Sequence, residues 1–321
     1  MSVEWGKVNH QPDIEHCLAQ QISPAGSSEG VSFSFSHIKS GFTDNVFFVN
    51  TVSSTGESLG TFIAKEYLED WHQKERRVYE DILQHHPFLG APALLAAGDG
   101  FIILEYLSPE VFARFSSEHI VALQNWIVRK HNFFSEHSGL TEPFTEGERV
   151  QIKYLVEKPF RVMRRFEDEK LTIFTQRAIG MEDYFTDIVR LNNTLPATLE
   201  HGDLEPQNLF VDQDNSLRVV DWVNTRRGSG LFDINQFFET ARGLGITLDV
   251  EQTTNQMAEA IGQSDLAKLL PKIRMIMLLN KIYFYGDKYL SGEAFGHSRP
   301  RPIYDMLVEY LEELDQLVEA I

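Results

Sequence analysis

The first hundred residues carry short apolar runs between turn-forming clusters, the pattern of strands. Val46-Phe47-Phe48-Val49 follows Ser40-Gly41-Phe42-Thr43-Asp44-Asn45, and Gly60-Thr61-Phe62-Ile63-Ala64-Lys65 follows the glycine-containing stretch 53–58. The period then changes. Across 71–84, Glu75, Val78, Tyr79, Ile82 and Leu83 fall at helical spacing, and Pro87, Gly90 and Pro92 end the run. Two further apolar runs, 93–97 and 101–107, flank Gly98-Asp99-Gly100 and predict a hairpin.

Past Ser108-Pro109 helical periodicity dominates. Helices are predicted over 117–137, 150–166, 182–193, 234–244, 258–270, 273–290 and 304–321, with a short β interlude over 209–222. In the last helix Leu307, Tyr310, Leu311, Leu314, Leu317, Val318 and Ile321 form one apolar stripe, a packing face. The expected fold class is therefore α+β and two-lobed: a small β-rich lobe over residues 1–105 and a larger helical lobe over 106–321, hinged near 105–108.

Composition narrows the partners. The chain has 321 residues, 42% hydrophobic and 24% charged, which is ordinary globular composition. Its 47 acidic against 29 basic residues give a net charge of −18, which repels phosphate backbones and anionic membrane surfaces and argues against nucleic acid as a partner. Residues 1–107 hold 14 acidic and 6 basic residues, and residues 108–321 hold 33 and 23, so the helical part is the less acidic per residue. Charge thus lends no support to a polycationic substrate. The single cysteine, Cys17, cannot form an internal disulfide and points to a reducing, cytoplasmic setting. The start lacks a signal-peptide layout, and the most apolar stretch, 273–285, is interrupted by Arg274, Asn280 and Lys281 and is too short to span a bilayer, so no membrane insertion is expected.

The chemistry concentrates in His201-Gly202-Asp203-Leu204-Glu205-Pro206-Gln207-Asn208, followed by Leu209-Phe210-Val211, a turn over 212–216, and Leu217-Arg218-Val219-Val220-Asp221-Trp222. Asp203 and Asn208 lie five residues apart on a tight loop, and the hairpin returns Asp221 to the same end. Phosphoryl transfer from a nucleotide uses such parts. One carboxylate orients the attacking hydroxyl and accepts its proton, while an amide and a second carboxylate supply hard oxygen ligands for Mg²⁺. Taken singly, Asp203 and Asp221 are also ordinary turn and strand-end aspartates.

The H-x-D-x-x-x-x-N pattern followed by Asp-Trp in place of D-F-G resembles the aminoglycoside phosphotransferase-like branch of the protein-kinase-like fold. That branch also contains choline/ethanolamine, homoserine, methylthioribose and fructosamine kinases. The resemblance implies that Asp203 is the catalytic base, that Asn208 and Asp221 bind metal, and that His201 braces the loop. It implies an enzyme that uses ATP or GTP with Mg²⁺ to phosphorylate a hydroxyl of a small molecule. Phe62-Ile63-Ala64-Lys65 resembles the kinase V-A-I-K strand, which assigns Lys65 to the nucleotide phosphates. Glu75 then orients Lys65, with Glu80 as its rival. Ser40, Gly41 and Thr43 fall where the phosphate-covering loop belongs, with one glycine instead of several. Leu104-Glu105-Tyr106-Leu107 falls at the hinge, where the backbone of Glu105 and Leu107 meets the adenine edge.

Downstream, Gly228-Ser229-Gly230-Leu231-Phe232-Asp233-Ile234 resembles the family's G-D-P-x-x-D-L, so Asp233 is expected to cap a helix and steady the catalytic loop. Ser229-Gly230 replaces the usual Asp-Pro, and Glu205 and Gln207 stand where His and Gly are frequent, departures that bear on the acceptor. The resemblance spans about residues 38–241. Elsewhere the eleven histidines show no zinc-site spacing and no G-x-S-x-G elbow occurs. Lys158, Arg161, Arg164 and Arg165 are either a solvated helix face or, with Arg226 and Arg227, a site for an anionic acceptor. The rival from another class is a catalytically silent nucleotide-binding module. A protein kinase is disfavoured by the missing Gly-rich loop and A-P-E segment.

Overall fold

Two elements lie outside those expectations and come first in the chain: helix α1 (Gln11–Ile22) and strand β1 (Val31–Ser40). The computed structural model describes residues 8–22, 30–40, 44–67, 73–263, 266–292 and 302–321. Val31-Ser32-Phe33-Ser34-Phe35-Ser36 alternates strictly, the period of a half-buried strand. Then come β2 (Asp44–Ser53), β3 (Ser58–Tyr67), α2 (Gln73–Asp81), β4 (Leu94–Gly98) and β5 (Phe101–Glu105). The five strands form one antiparallel sheet in the order β1-β2-β3-β5-β4. Each expected strand is present; β2 and β3 extend beyond their apolar runs, because pairing carries the backbone into the polar flanks, whereas β5 stops at Glu105, short of the end of its run.

The rest of the chain runs β6 (Ala113–Arg114), α3 (Ile120–Glu136), α4 (Glu148–Ile152), a π turn (Lys153–Glu157), α5 (Lys158–Met163), α6 (Glu169–Ile179), α7 (Glu182–Asn193), β7 (Thr198–Glu200), β8 (Leu209–Val211), β9 (Leu217–Val219), β10 (Arg226–Gly228), α8 (Leu231–Gly243), α9 (Val250–Ile261), α10 (Leu266–Ser291) and α11 (Ile303–Glu319). A β-rich first part and a helical remainder agree with the α+β expectation. Pro271, in the gap left between the helices expected over 258–270 and 273–290, lies inside α10. It forfeits one backbone bond, but Leu269, Leu270, Ile273 and residues 275–279 are buried, and that packing holds the helix through the proline. Helix α6 was not expected. It is started by Asp168, whose carboxylate accepts the Leu171 N–H at 3.0 Å.

The chain divides into two compact units, Met1–Trp126 with Asp203–Thr225 and Ile127–Gly202 with Arg226–Ile321. In the first, Ile14 and Leu18 of α1 bury one face of the sheet against Val49, Ala64, Phe101 and Ile103. The small sheet β6-β8-β9 also belongs here. In the second, α10 is the central helix, packed by α5, α8 and α11. No helix among the described residues is long and apolar enough to cross a membrane.

The start of α1 is fastened from the sheet. Glu66 on β3 is fully buried, and its carboxylate accepts the His10 N–H at 2.7 Å and the Asn9 side-chain amide at 3.3 Å. It thereby satisfies a backbone donor at the positive end of the helix. Glu66→Ala should lower unfolding free energy by roughly 2 kcal/mol, read as a drop of several degrees in Tm. Glu15→Ala, at a partly exposed position of the same helix, serves as a control that should move it little, and equal effects of the two would contradict this role.

Candidate active site

Alternation along β3 sends Ala64 and Glu66 toward α1 and turns Lys65 to the other face. There the Lys65 ammonium lies 2.7 Å from Glu75 Oε2 on α2 and 2.7 Å from Asp221 Oδ1. Lys65 and Glu75 are nearly excluded from water, with side-chain exposures of 8% and 1%. The other oxygen of Glu75, Oε1, accepts the Trp222 N–H at 2.9 Å. One carboxylate therefore holds both the lysine and the backbone next to Asp221. Of the two glutamates weighed above, Glu80 pairs with Arg76 at 2.9 Å and Glu75 is the one beside Lys65.

Asp221 sits in the left-handed region (φ 67°, ψ 62°), a conformation an aspartate tolerates better than most side chains. Trp222 after it is fully buried, donates its indole N–H to Val219 O at 2.9 Å and meets the Trp126 ring edge-on at 6.1 Å. The strained carboxylate is thus anchored by a large side chain on one side and a hairpin on the other. That hairpin docks closely. Val219 N–H donates to Gly90 O at 2.9 Å, and a Cβ at Gly90 (φ 72°) would lie 2.1 Å from Leu217 O, so only glycine fits there. Across the loop, buried Asn208 donates its amide to both Asp203 O and Asp203 Oδ2 at 3.0 Å, which fixes the Asp203 carboxylate. Lys65, Glu75, Asp203, Asn208 and Asp221 all belong to the first unit.

The remaining expected residues fall less simply. Gly41 and Thr43 lie outside the described residues, as does the side chain of Ser40, whose backbone ends β1 opposite Asn45. Glu105 ends β5, and its carboxylate accepts the Ala93 N–H at 3.1 Å and Arg218 Nη2 at 2.7 Å. Leu107 is buried just beyond the strand. Glu205 accepts from the Gln207 amide at 2.6 Å, so the two loop residues that depart from the family pattern next to Asp203 bond to each other.

In the second unit the residues leading into the loop are braced separately. The buried Asp233 carboxylate accepts the His201 N–H at 2.9 Å, the Gly202 N–H at 3.0 Å and the Lys130 ammonium at 2.8 Å. Asp233 does not cap α8, as was expected. Gly230 holds that position with φ 83°, and Asp233 lies in the first turn with its carboxylate spent on the loop. Burial alone pushes the Asp233 carboxyl up. Lys130 and His201, with hydrogen bonds from Lys130 and the Gly202 N–H, outweigh that and hold it below the usual aspartate range. Next to this pair, burial and Lys130 push the His131 imidazole down to about 4, which keeps it neutral. Fully buried Glu200 accepts Arg226 Nε at 2.9 Å and the Gly230 N–H at 2.8 Å. Arg226 also lies 3.9 Å over the Phe232 ring.

Contacts of this kind occupy four of the six basic residues weighed for an anionic acceptor, and Arg227 donates to Thr145 Oγ1 at 3.3 Å. Arg226 serves Glu200, Arg164 pairs with Glu182, Arg165 reaches Asp287 at 3.9 Å and Lys158 lies 3.8 Å over the Tyr154 ring. Lys130 escaped sequence reasoning, although a signal existed. It sits on the α3 face shared by Leu123, Ile127 and Phe134, where a lone lysine among core positions implies a buried partner.

Among the described residues no three His, Cys, Asp or Glu side chains converge as a self-sufficient metal cage. The oxygens of Asn208 and Asp221 suit a hard divalent cation that takes its other ligands from phosphates and water. A Lys–Glu pair under an antiparallel sheet, an Asp–Asn loop and a returning aspartate are the parts of the protein-kinase-like fold. Residues 34–271 match the phosphotransferase enzyme family, and the chain belongs to that family. Solved structures agree on the fold. A choline kinase from Cryptosporidium parvum Iowa II superposes with a TM-score of 0.62 at 12% identity, over 96% of this chain and 97% of that one. A choline kinase from Streptococcus pneumoniae gives 0.60 at 13%, over 98% and 100%. A macrolide 2'-phosphotransferase from Brachybacterium faecium gives 0.53 at 16%, over 94% and 97%. No curated protein is similar in sequence at a significant level.

The Asp233 brace has a signed pH dependence. A carboxyl held low in the folded state contributes stability that is present at neutral pH and is lost as pH falls through its folded value. The unfolding free energy of the wild type should exceed that of Asp233→Asn by a constant amount from pH 7 to about 5 and by less below about 4, as urea melts would read it. A gap that widens in acid would contradict the assignment.

Proposed function

We propose that this phosphotransferase moves the γ-phosphate of ATP, or of GTP, to a hydroxyl of a small molecule in a Mg²⁺-dependent reaction in the cytoplasm. The observation that carries the reading is the shared pairing of Lys65 with Glu75 and Asp221, together with the Asp203–Asn208 bond in the same unit. Such a cluster presents one fixed cation and, besides the glutamate that holds it, three oxygen-bearing side chains, the inventory for holding a polyphosphate and aligning a hydroxyl.

Lys65, kept in place by Glu75, neutralises nucleotide phosphate oxygens. Residues 1–105 act as the nucleotide-clamping lobe, in which Ser40, Gly41 and Thr43 cover the phosphates and the backbone of Glu105 and Leu107 meets the base. Residues 106–321 act as the catalytic and acceptor-binding lobe. Asn208 and Asp221 hold Mg²⁺, whose contribution when bound is to neutralise charge on the transferring phosphate. Asp203, oriented by the Asn208 amide, accepts a hydrogen bond from the acceptor hydroxyl and takes its proton. The new O–P bond forms as the bond from the γ-phosphorus to the β–γ bridging oxygen breaks, and the nucleoside diphosphate leaves. With Arg164, Arg165 and Arg226 already paired, an amino alcohol, a sugar or an aminoglycoside-like molecule fits better than a phosphorylated acceptor.

The test is coupled ADP release screened over amino alcohols, aminoglycosides, sugars and phosphorylated sugars. Asp203→Asn should lose at least about 10²-fold in kcat while Mg·ATP binding stays nearly intact, and normal turnover in that variant would remove Asp203 as the base. Asn208→Ala should shift the Mg²⁺ requirement upward, so an unchanged Mg²⁺ titration would count against it as a ligand. Mg²⁺-dependent binding with no turnover on any acceptor would favour a silent binding module.

A further inference from the structure

Among the described residues two ion pairs link the hairpin that carries Asp221 to the main sheet, and one of them belongs to the chemistry proposed above. The first is Lys65–Asp221 at 2.7 Å. The second is Arg218–Glu105, with Nη2 2.7 Å from Oε2. Their spacing matches on both sides. Arg218 precedes Asp221 by three residues on the hairpin. On the sheet, Glu105 stands opposite Phe62, which precedes Lys65 by three. The second tie is also built in. Glu105 Oε2 additionally accepts the Ala93 N–H, and the Arg218 guanidinium lies 5.2 Å over the Phe112 ring. The Arg218 side chain is 22% exposed. β9 itself runs against Gly90 through the bond from Val219 N–H.

We propose that Arg218 and Glu105 form a positioning pair that keeps the Asp221 hairpin in register with β3 and β5 while Asp221 exchanges Lys65 for the nucleotide-bound metal. This rests on the proposed function, because the exchange occurs only if Asp221 serves the metal. When Asp221 lets go of Lys65, the Arg218–Glu105 pair stays made and adds a link to the end of β5 to the Val219–Gly90 and Glu75–Trp222 bonds that also hold the hairpin, so Asp221 meets the phosphates where Lys65 left it. The Glu105 carboxylate then acts on the nucleotide site through Arg218, separately from any contact its backbone makes to the base.

A double-mutant cycle on Arg218→Ala and Glu105→Ala tests this, reading Mg·ATP dissociation constants by calorimetry alongside KM and kcat. Arg218→Ala should weaken Mg·ATP binding and raise KM for ATP by about three- to tenfold, with kcat and the acceptor KM changed less than about twofold. Adding Glu105→Ala should weaken binding no further, and Arg218→Lys should recover part of the loss. Unchanged Mg·ATP affinity in Arg218→Ala, or single effects that add in full in the double variant, overturns the pair. Should the alanine variants not fold, Arg218→Gln with Glu105→Gln gives the same cycle with the same two outcomes. Wild-type binding without turnover sinks the proposed function and leaves the binding cycle to decide the pair. Wild-type turnover with no effect at Arg218 sinks only the pair.

Discussion

A buried lysine between two carboxylates is the constraint on which the first unit depends. Lys65 and Glu75 have been taken almost wholly out of water, a desolvation cost that is offset only when every charge keeps a close partner. The partners come from three places: a strand, a helix and the end of a hairpin. None of these can shift without exposing the charge of another, so the requirement to pair Lys65 fixes β3, α2 and Asp221 together. Glu75 extends the constraint to the backbone by accepting the Trp222 N–H. The left-handed conformation of Asp221 can persist because Glu75 and Trp222 over-determine its surroundings.

The second unit solves the same problem with a second set of charges. Asp233 gathers Lys130 and the N–H groups of His201 and Gly202, and Glu200 gathers Arg226 and the N–H of Gly230. In both cases a fully buried carboxylate satisfies backbone donors in the approach to Asp203 or in the start of α8. Lone buried charges would be costly, and each is matched by a cation and by directed hydrogen bonds. The result is a backbone fixed at His201 and Gly202, just before Asp203, and at the start of α8 by carboxylates that the proposed reaction does not use.

Much of this was legible in the residues. Lys65, Glu75, Asp203, Asn208 and Asp221 could be singled out because their types and spacing match the proposed reaction; all five belong to one unit, where Lys65 pairs with Glu75 and Asp221 and Asn208 bonds Asp203. Glu75 was preferred to Glu80 through the resemblance, in which the glutamate is followed by apolar residues three, four and seven positions on, here Val78, Tyr79 and Ile82. What stayed hidden depends on long-range pairing. Nothing local in Arg218 says that it meets Glu105, and Asp233 looked like a helix cap because Asp is common there. Pro271 looked like a helix end because local preference disfavours proline, whereas burial of its neighbours decided otherwise. Helix α1, with few apolar residues, is stabilised by Glu66 from the strand and by the sheet it covers, so its own sequence carries a weak signal.

The central claim is that the Lys65–Asp221 contact is the resting form of a site in which Asp221 takes the metal that accompanies the nucleotide. Calorimetric titration of ATP with and without Mg²⁺ into the wild type and Asp221→Asn measures this directly. The account predicts that Mg²⁺ strengthens ATP binding to the wild type and that most of this gain disappears in Asp221→Asn, while metal-free ATP binding is retained. An equal gain from Mg²⁺ in both proteins would contradict it.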